Sequence, residues 1–266
     1  MTSPAQGHSG ASSEEFVILD WDSAHFGFPV ARINSSVAFW SLDGIAERMR
    51  NHGIVLAYFN VGTRVPSISD EALSRLGGRL VDQRVTYTAR LTSDDWANLE
   101  PELDHDHFHI AEYRSVEVAS SLRRLALESG AFSRFRLDPQ IPQGVFEAIY
   151  DAWIRRSVAR EIADEVLTAN EDDRIIGFVT VRAGGPLGEI GLLAVDASAR
   201  GRGVGLSLVR AAHSAMLRHG CTQARVATQK DNLGACAVYQ SAGYVVSEVE
   251  RVYHFWLLLP GRLGTT

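Results

Sequence analysis

Three observations predict an α/β fold with a mixed central sheet, preceded by a smaller N-terminal αβ domain, for this 266-residue chain. Strand-like runs alternate with helix-period segments along most of its length. A polar stretch at residues 93–107, rich in Asp, Glu, Asn and His, interrupts the alternation and is read as a linker. A glycine-rich turn, Arg200-Gly201-Arg202-Gly203-Val204-Gly205, joins an apolar strand to an amphipathic helix. The chain exceeds the usual size of one domain, and 45% hydrophobic with 22% charged residues is ordinary globular usage, so two domains can each bury a core.

The elements follow in order. Residues 16–19 and 30–33 read as strands, and 42–50 as an amphipathic helix ended by His52 and Gly53. Residues 54–59 are an apolar run with β-branched and aromatic members, 70–76 a short helix, and 79–91 an alternation typical of paired strands. The first domain is therefore placed at 14–92, after a polar segment 1–13 expected to be disordered. The second domain is placed at 108–260, with a tail at 261–266. It opens with a strand near 109–114, helices at 118–129 and 144–160, and a hairpin turning at Glu171-Asp172-Asp173. A strand at 175–182, a loop through Gly184-Gly185-Pro186 and a strand at 189–195 lead to the glycine turn. A helix at 204–218, a strand at 222–228, a short helix containing Tyr239 and two final strands complete it. One internal echo stands out: Leu76-Gly77-Gly78 followed by Tyr87 parallels Ala242-Gly243-Tyr244 followed by Tyr253 at equal spacing, as in a degenerate repeat or a shared helix-to-strand turn.

Charge and composition exclude several classes. A net charge of −6 and a pI near 5.8 give no basic surface for nucleic acid. Cys221 and Cys236 alone are too few for a disulfide framework, which fits a reducing cytoplasm. No apolar run approaches the roughly 20 residues that cross a bilayer. His105, His107 and His109 alternate with Asp104 and Asp106 and would share a strand face. They lie in a solvated linker entering a strand, and no metal is expected.

The chemistry concentrates after residue 189. Leu193, Ala194 and Val195 end a strand, and the alternating glycines Gly201, Gly203 and Gly205 open a helix. Glycines let backbone approach a bulky anion, and the N–H groups of the turn and helix N-terminus make a donor-rich concavity suited to a pyrophosphate. The turn lacks the Gly-Lys-Ser/Thr of a nucleotide P-loop, and it lacks the glycine spacing and downstream acid of a dinucleotide site. A second cluster follows at Asn232-Leu233-Gly234-Ala235-Cys236-Ala237-Val238-Tyr239 and Ser241-Ala242-Gly243-Tyr244.

Both segments, in this order and spacing, resemble the GNAT superfamily of acyl-CoA N-acyltransferases. The resemblance implies a GNAT fold, acetyl-CoA as co-substrate at Leu193, Ala194, Val195 and at Arg200, Gly201, Arg202, Gly203, Val204 and Gly205, and further contacts from Asn232 and Ala235. It places Tyr239 near the thioester sulfur as general acid, the other reading being a core aromatic. Glu189 stands where several such enzymes carry a catalytic glutamate; otherwise it is a strand-end carboxylate and water takes the amine proton. Trp21-Asp22-Ser23-Ala24-His25-Phe26-Gly27, Phe132-Ser133-Arg134-Phe135 with Asp138-Pro139, Ile190 to Val195, and Arg225 to Gln229 resemble the acetyltransferases of TDP-linked 4-amino-4,6-dideoxygalactose. That resemblance implies a primary amine on a TDP-linked sugar as acceptor, lying in a cleft beside an N-terminal unit like a partial GNAT domain. Ser133, Arg134, Phe135 and Trp21 become substrate-side candidates, and a homodimer is expected by analogy. Another small amine as acceptor, or a non-catalytic acyl-CoA-binding module, are the rival expectations.

Overall fold

The computed structural model describes residues 15–35, 41–62, 69–92, 104–105 and 107–257; the expected N-terminal segment, most of the linker and the tail lie outside the described residues. Chain order is β1 (Phe16–Ile18), α1 (Asp20–Phe26), β2 (Val30–Ile33), α2 (Leu42–Asn51), β3 (Leu56–Gly62), α3 (Asp70–Arg75), β4 (Gly78–Arg90), β5 (Asp104–His105) and β6 (Phe108–Glu112). It continues with α4 (Ser120–Ser129), α5 (Arg134–Leu137), α6 (Val145–Val158), β7 (Glu165–Glu171), β8 (Arg174–Gly184), β9 (Leu187–Val195) and a 3₁₀ turn (Ala197–Ala199). The last elements are α7 (Val204–Arg218), β10 (Gln223–Gln229), α8 (Leu233–Ser241) and β11 (Val245–Trp256).

These elements gather into two compact units. The larger holds Val85–Arg136 and Phe146–Ser247; the smaller holds the residues up to Arg84, Leu137–Val145 and the chain from Glu248 onward. The units interleave along the chain instead of dividing at residues 93–107, because hydrogen-bonded partners are distant in sequence. β11 pairs antiparallel with β3 from Glu250↔Gly62 to Trp256↔Leu56, so its second half belongs with the smaller unit. Leu137–Val145 joins that unit through Asp138, whose Oδ2 lies 2.6 Å from His254 Nδ1 and accepts from Trp256 Nε1 at 3.0 Å. Burial opposes charge on Asp138, yet these bonds and the Gln140 N–H hold its carboxyl below the ordinary range.

The smaller unit is built on β1-β2-β3-β11, with β1 and β2 antiparallel and β2 and β3 parallel. α2 presents Leu42, Ile45 and Met49 to this sheet at helical spacing, and they bury against Phe59, Tyr253 and Phe255. Each such side chain contributes about 1.5–3 kcal/mol by leaving water. In the larger unit the strand order is β4-β10-β9-β8-β7-β6-β5, with β9 and β10 parallel and their neighbours β8 and β7 antiparallel in turn. α7 crosses between the parallel pair. It packs closely because a Cβ at Gly188 of β9 would lie 2.5 Å from Met216.

The order β2-α2-β3-α3-β4 repeats as β9-α7-β10-α8-β11, each with a parallel strand pair followed by a helix and a long strand. The echo at Gly77 and Gly243 is the same joint twice, with left-handed φ of 86° and 83° leading into β4 and β11. Two expectations need correction. Residues 79–90 lie in one 13-residue strand, Gly78–Arg90, with no internal turn, and the last strand among the described residues is one long one, β11, where two were expected. In both, alternating side chains mark a strand but do not show where a turn falls.

His213 of α7 is fully buried, with Nε2 2.9 Å from the Tyr244 hydroxyl. Burial pushes its imidazole down to about 4 from 6.5. The unfolded chain therefore takes up a proton below pH 6.5 that the folded chain refuses until about pH 4, so stability is full above 6.5 and is lost as pH falls through this window. A loss of about 3 kcal/mol between pH 7 and pH 4 is expected in urea midpoints. His213→Gln is expected to flatten that slope; an unchanged slope would contradict the assignment.

Candidate active site

The candidate site lies at the open end of the β9–β10 pair in the larger unit. The parallel register runs from Gln223↔Leu187 to Val226↔Ile190, although β9 continues to Val195 and β10 to Gln229. The pairing stops at a β-bulge: Val179 faces Leu193 and Val181 faces Ile190, so Gly191 and Leu192 together oppose Thr180. Thr180 Oγ1 accepts the Leu192 N–H at 2.8 Å, and a Cβ at Gly191 would lie 2.7 Å from the same oxygen. A bulge bends and twists its strand, which carries Leu193, Ala194 and Val195 away from the β10 pairing.

Past Val195 the turn is fixed by Asp196. Its Oδ1 accepts from the Ser198 N–H at 2.9 Å and from Ser198 Oγ at 2.6 Å, and its Oδ2 accepts from Arg124 Nη2 of α4 at 2.6 Å. The Ser198 bonds first, then Arg124, hold this carboxyl far below its usual range. Gly201 and Gly203 have φ of 76° and 81°, and a Cβ at either would meet nothing within 4 Å. Such backbone strains any residue but glycine, and the open space beside it is a cradle that a side chain would fill. Gly203, which has no side chain to cap with, opens α7, and the first N–H groups of a helix have no partner within it. These features fit a pyrophosphate. Gly205 packs the helix start against Val238 and Val195, 3.4 and 3.6 Å from an ideal Cβ. Arg200 donates from Nε to the Val195 carbonyl at 3.1 Å and lies 3.5 Å from Glu128, and Arg202 pairs with Glu171 at 2.5 Å.

Asn232 caps α8, its Oδ1 accepting the Ala235 N–H at 3.2 Å, so its side-chain oxygen serves the helix. Tyr239 follows on the same helix, 4% exposed, with its ring 5.8 Å from Tyr244 and 6.0 Å from Tyr87. Burial pushes its phenol well above the ordinary tyrosine value, so it stays protonated through neutral and moderately alkaline pH. Glu189 sits on the paired side of the bulge opposite Arg225. One of its carboxylate oxygens accepts from Arg225 Nε at 2.8 Å and from Nη2.

The acceptor-side candidates are placed differently from one another. Ser133 is 4% exposed and its Oγ accepts the Phe135 N–H at 3.2 Å, which starts α5. Phe135 is buried edge-on to Trp153 at 6.1 Å, and the half-buried Arg134 guanidinium lies 4.3 Å above its ring. Of the three, Arg134 alone keeps partial exposure. Trp21 belongs to α1 of the smaller unit and stacks on His25 at 4.0 Å. Asp196, Arg124 and Thr180 are not among the site residues that the sequence predicts. An acid directly after a strand and four residues before Arg200 was a readable cue for Asp196, whereas Thr180 and Arg124 are 16 and 72 residues away from it in the chain and carry no local signature. Among the described residues no group of three or more His, Cys, Asp or Glu is gathered as metal ligands, and no helix is long and apolar enough to cross a membrane.

Residues 131–244 match the Acetyltransferase (GNAT) family. The chain thus carries a GNAT acetyltransferase domain, and its class is that of the acyl-CoA N-acetyltransferases. Among individual proteins, it is 29% identical over 246 residues to the dTDP-fucosamine acetyltransferase of Escherichia coli O6:H1 (strain CFT073), covering 90% of this chain and 95% of that one. Its fold is similar to that of a GCN5-related N-acetyltransferase from Sphaerobacter thermophilus (TM-score 0.56, 16% identity, 91% of this chain and 76% of that one). It is also similar to that of a tandem GNAT protein from the clavulanic acid biosynthesis pathway (TM-score 0.58, 15% identity, 87% and 76%).

Proposed function

We propose that this protein transfers an acetyl group from acetyl-CoA directly to the primary amine of a nucleotide-linked 4-amino-6-deoxy sugar. The observation that carries acyl transfer is the bulged end of β9, released from β10, beside a glycine turn that opens α7, followed on α8 by a buried, protonated tyrosine. The sugar nucleotide is supported by the named activity of the Escherichia coli relative, which is similar along nearly the whole chain, N-terminal residues included.

In this reading the turn Arg200, Gly201, Arg202, Gly203, Val204 and Gly205 holds the coenzyme pyrophosphate on backbone N–H groups, and Asp196 with Arg124 keeps the turn in shape. Leu193, Ala194 and Val195, paired with β8 on one side, offer the side released from β10 to the pantetheine arm, as a β-strand edge accepts an extended partner. When bound, the coenzyme supplies an activated acyl carbonyl. The neutral amine nitrogen attacks that carbon, a C–N bond forms, and the C–S bond breaks with its electron pair on sulfur. Tyr239 donates its phenolic proton to the departing sulfur and regains one from solvent, while water takes the surplus proton from the amine nitrogen. Glu189, paired with Arg225, enters as the base only after that pair opens. Arg134 is the proposed contact for the sugar-nucleotide diphosphate, to which a planar guanidinium can bind in a bidentate manner.

The test is an acceptor panel under fixed acetyl-CoA, comparing TDP-linked 4-amino-4,6-dideoxygalactose with free amino acids, polyamines and aminoglycosides. The sugar nucleotide is expected to give the highest kcat/KM. Turnover with another amine and none with any TDP-amino sugar would overturn the acceptor and leave acyl transfer in place.

A further inference from the structure

Glu189 of β9 stands opposite Arg182 of β8 in the antiparallel register and opposite Arg225 of β10 in the parallel one. Residues directly opposite one another point to the same face, so the three form a row across the sheet of the larger unit. Gly188, the preceding residue of β9, turns the other way, where a Cβ would meet Met216 of α7, so the row lies on the face that α7 does not cover. Both arginines are exposed and Glu189 is half-buried. One Glu189 oxygen takes both hydrogen bonds from Arg225. No described residue pairs with Arg182, and Asp164, just before β7, directs its carboxylate to the Ala183 N–H at 2.6 Å. The row therefore holds two cations against one anion, in a chain whose net charge is −6. Toward the bulge the same face carries only small residues, Gly191 on β9 and Ala227 on β10, and Gly191 is exposed. The bulge begins at Gly191, two residues or about 7 Å along β9 from Glu189.

We propose that Arg182 and Arg225 hold a phosphate of the acceptor's diphosphate, and that this phosphate displaces Glu189 from Arg225 and frees the carboxylate to take the amine proton. The proposal rests on the reading of a sugar nucleotide as acceptor and gives the nucleotide a part in catalysis. A guanidinium fork matches phosphate as well as carboxylate, so a phosphate can replace Glu189 on Arg225 bond for bond. It also reaches Arg182, which Glu189 leaves without an ion pair. The Glu189 and Arg225 side chains are 35% and 48% exposed, and an exposed pair is held weakly, so a ligand that engages both arginines can open it. The shape of the acceptor agrees. Its 4-amine lies across the pyranose ring from the carbon that bears the diphosphate, so a phosphate on the row lets the amine reach toward the bulge. There the released carboxylate accepts one proton from the amine nitrogen as the C–N bond forms and passes it to solvent. An amine that carries no phosphate leaves the pair closed and its proton to water.

The test compares two acceptors, TDP-linked 4-amino-4,6-dideoxygalactose and the methyl glycoside of the same amino sugar, which keeps the amine and lacks the diphosphate. The ratio of their kcat/KM values is expected to fall about tenfold in Arg182→Gln, the scale of one charge-assisted hydrogen bond, and at least as far in Arg225→Gln. Both side chains are exposed, so the melting curves should match the wild type. Glu189→Gln is expected to lower kcat about a hundredfold with the sugar nucleotide and far less with the methyl glycoside, for which the carboxylate stays on Arg225. In an Arg225→Gln background that difference should shrink, because nothing holds Glu189 there. Arginine variants that leave the ratio unchanged would overturn the phosphate site while the sugar nucleotide stands as acceptor. Glu189→Gln acting equally on both acceptors would overturn the release of the base. Wild-type turnover of no TDP-amino sugar would overturn the acceptor reading itself, and this proposal with it.

Discussion

Tyr239→Phe is expected to lower kcat for thiol release by about 10²- to 10⁴-fold, the usual range for removal of a general acid, with acetyl-CoA affinity unchanged. The substitution deletes one hydroxyl and keeps the ring that packs between Tyr87 and Tyr244, so a folding defect is not expected. The loss should fall on kcat because the proton is needed only as the C–S bond breaks. The effect should also depend on the leaving group. An acyl donor with a more acidic thiol needs less protonation, and the gap between wild type and variant should narrow with it. A variant that turns over like the wild type would return Tyr239 to the role of a buried aromatic and leave the thiolate to be protonated by solvent. A variant that loses coenzyme affinity instead would mark the hydroxyl as a binding contact.

The second large effect is expected at the glycine turn. Gly203→Asp should abolish measurable acetyl-CoA binding, and Gly205→Asp should do the same. At Gly203, φ is 81° and a side chain would enter the open space beside the turn. The left-handed backbone costs an ordinary residue about 1–2 kcal/mol, too little to unfold a domain stable by about 5–15. The charge matters more. A carboxylate roughly 5 Å from one phosphate charge, at an effective dielectric of about 20, costs about 3 kcal/mol, or more than a hundredfold in affinity. Gly203→Asn has nearly the same shape, tolerates left-handed backbone and carries no charge, so calorimetric titration should show it retaining most of the binding that Asp destroys. Equal losses in Asn and Asp would make the effect steric, and unchanged affinity in a folded Asp variant would remove the pyrophosphate from this turn.

Much of the local structure was legible in the sequence because local rules decided it. The span of α7 is the one its helical period and its flanking Gly203 and His219-Gly220 define. The hairpin at Glu171-Asp172-Asp173 turns where the acids cluster, with Asp172 in left-handed backbone. The short helices α1 and α5 went unread: α1 spans seven residues, and α5, four residues long, is started by Ser133 and held by the burial of Phe135, a tertiary cause. The interleaving of the two units was equally hidden. Nothing near Asp138 says that it meets His254, and nothing near β4 says that its last residues sit beside β10.

The candidate site divides the same way. Its coenzyme side is one continuous strand, turn and helix, so its parts could be seen together in the chain. The bulge at Thr180, the Arg124–Asp196 pair and the Tyr87 contact join segments far apart in sequence, and only the fold brings them together. Ser133 and Phe135 show the reverse. Their motif was conspicuous in the sequence, and the fold uses both side chains to build and bury α5, leaving Arg134 as the member with an accessible polar group.

The most direct test is to follow thiol release from acetyl-CoA with TDP-linked 4-amino-4,6-dideoxygalactose while measuring acetyl-CoA binding to the same protein by calorimetry. Saturable coenzyme binding and amine-dependent release of one thiol per N-acetylated sugar are expected. Tight coenzyme binding with no release for any amine in the panel would contradict catalysis and make the chain an acyl-CoA-binding module.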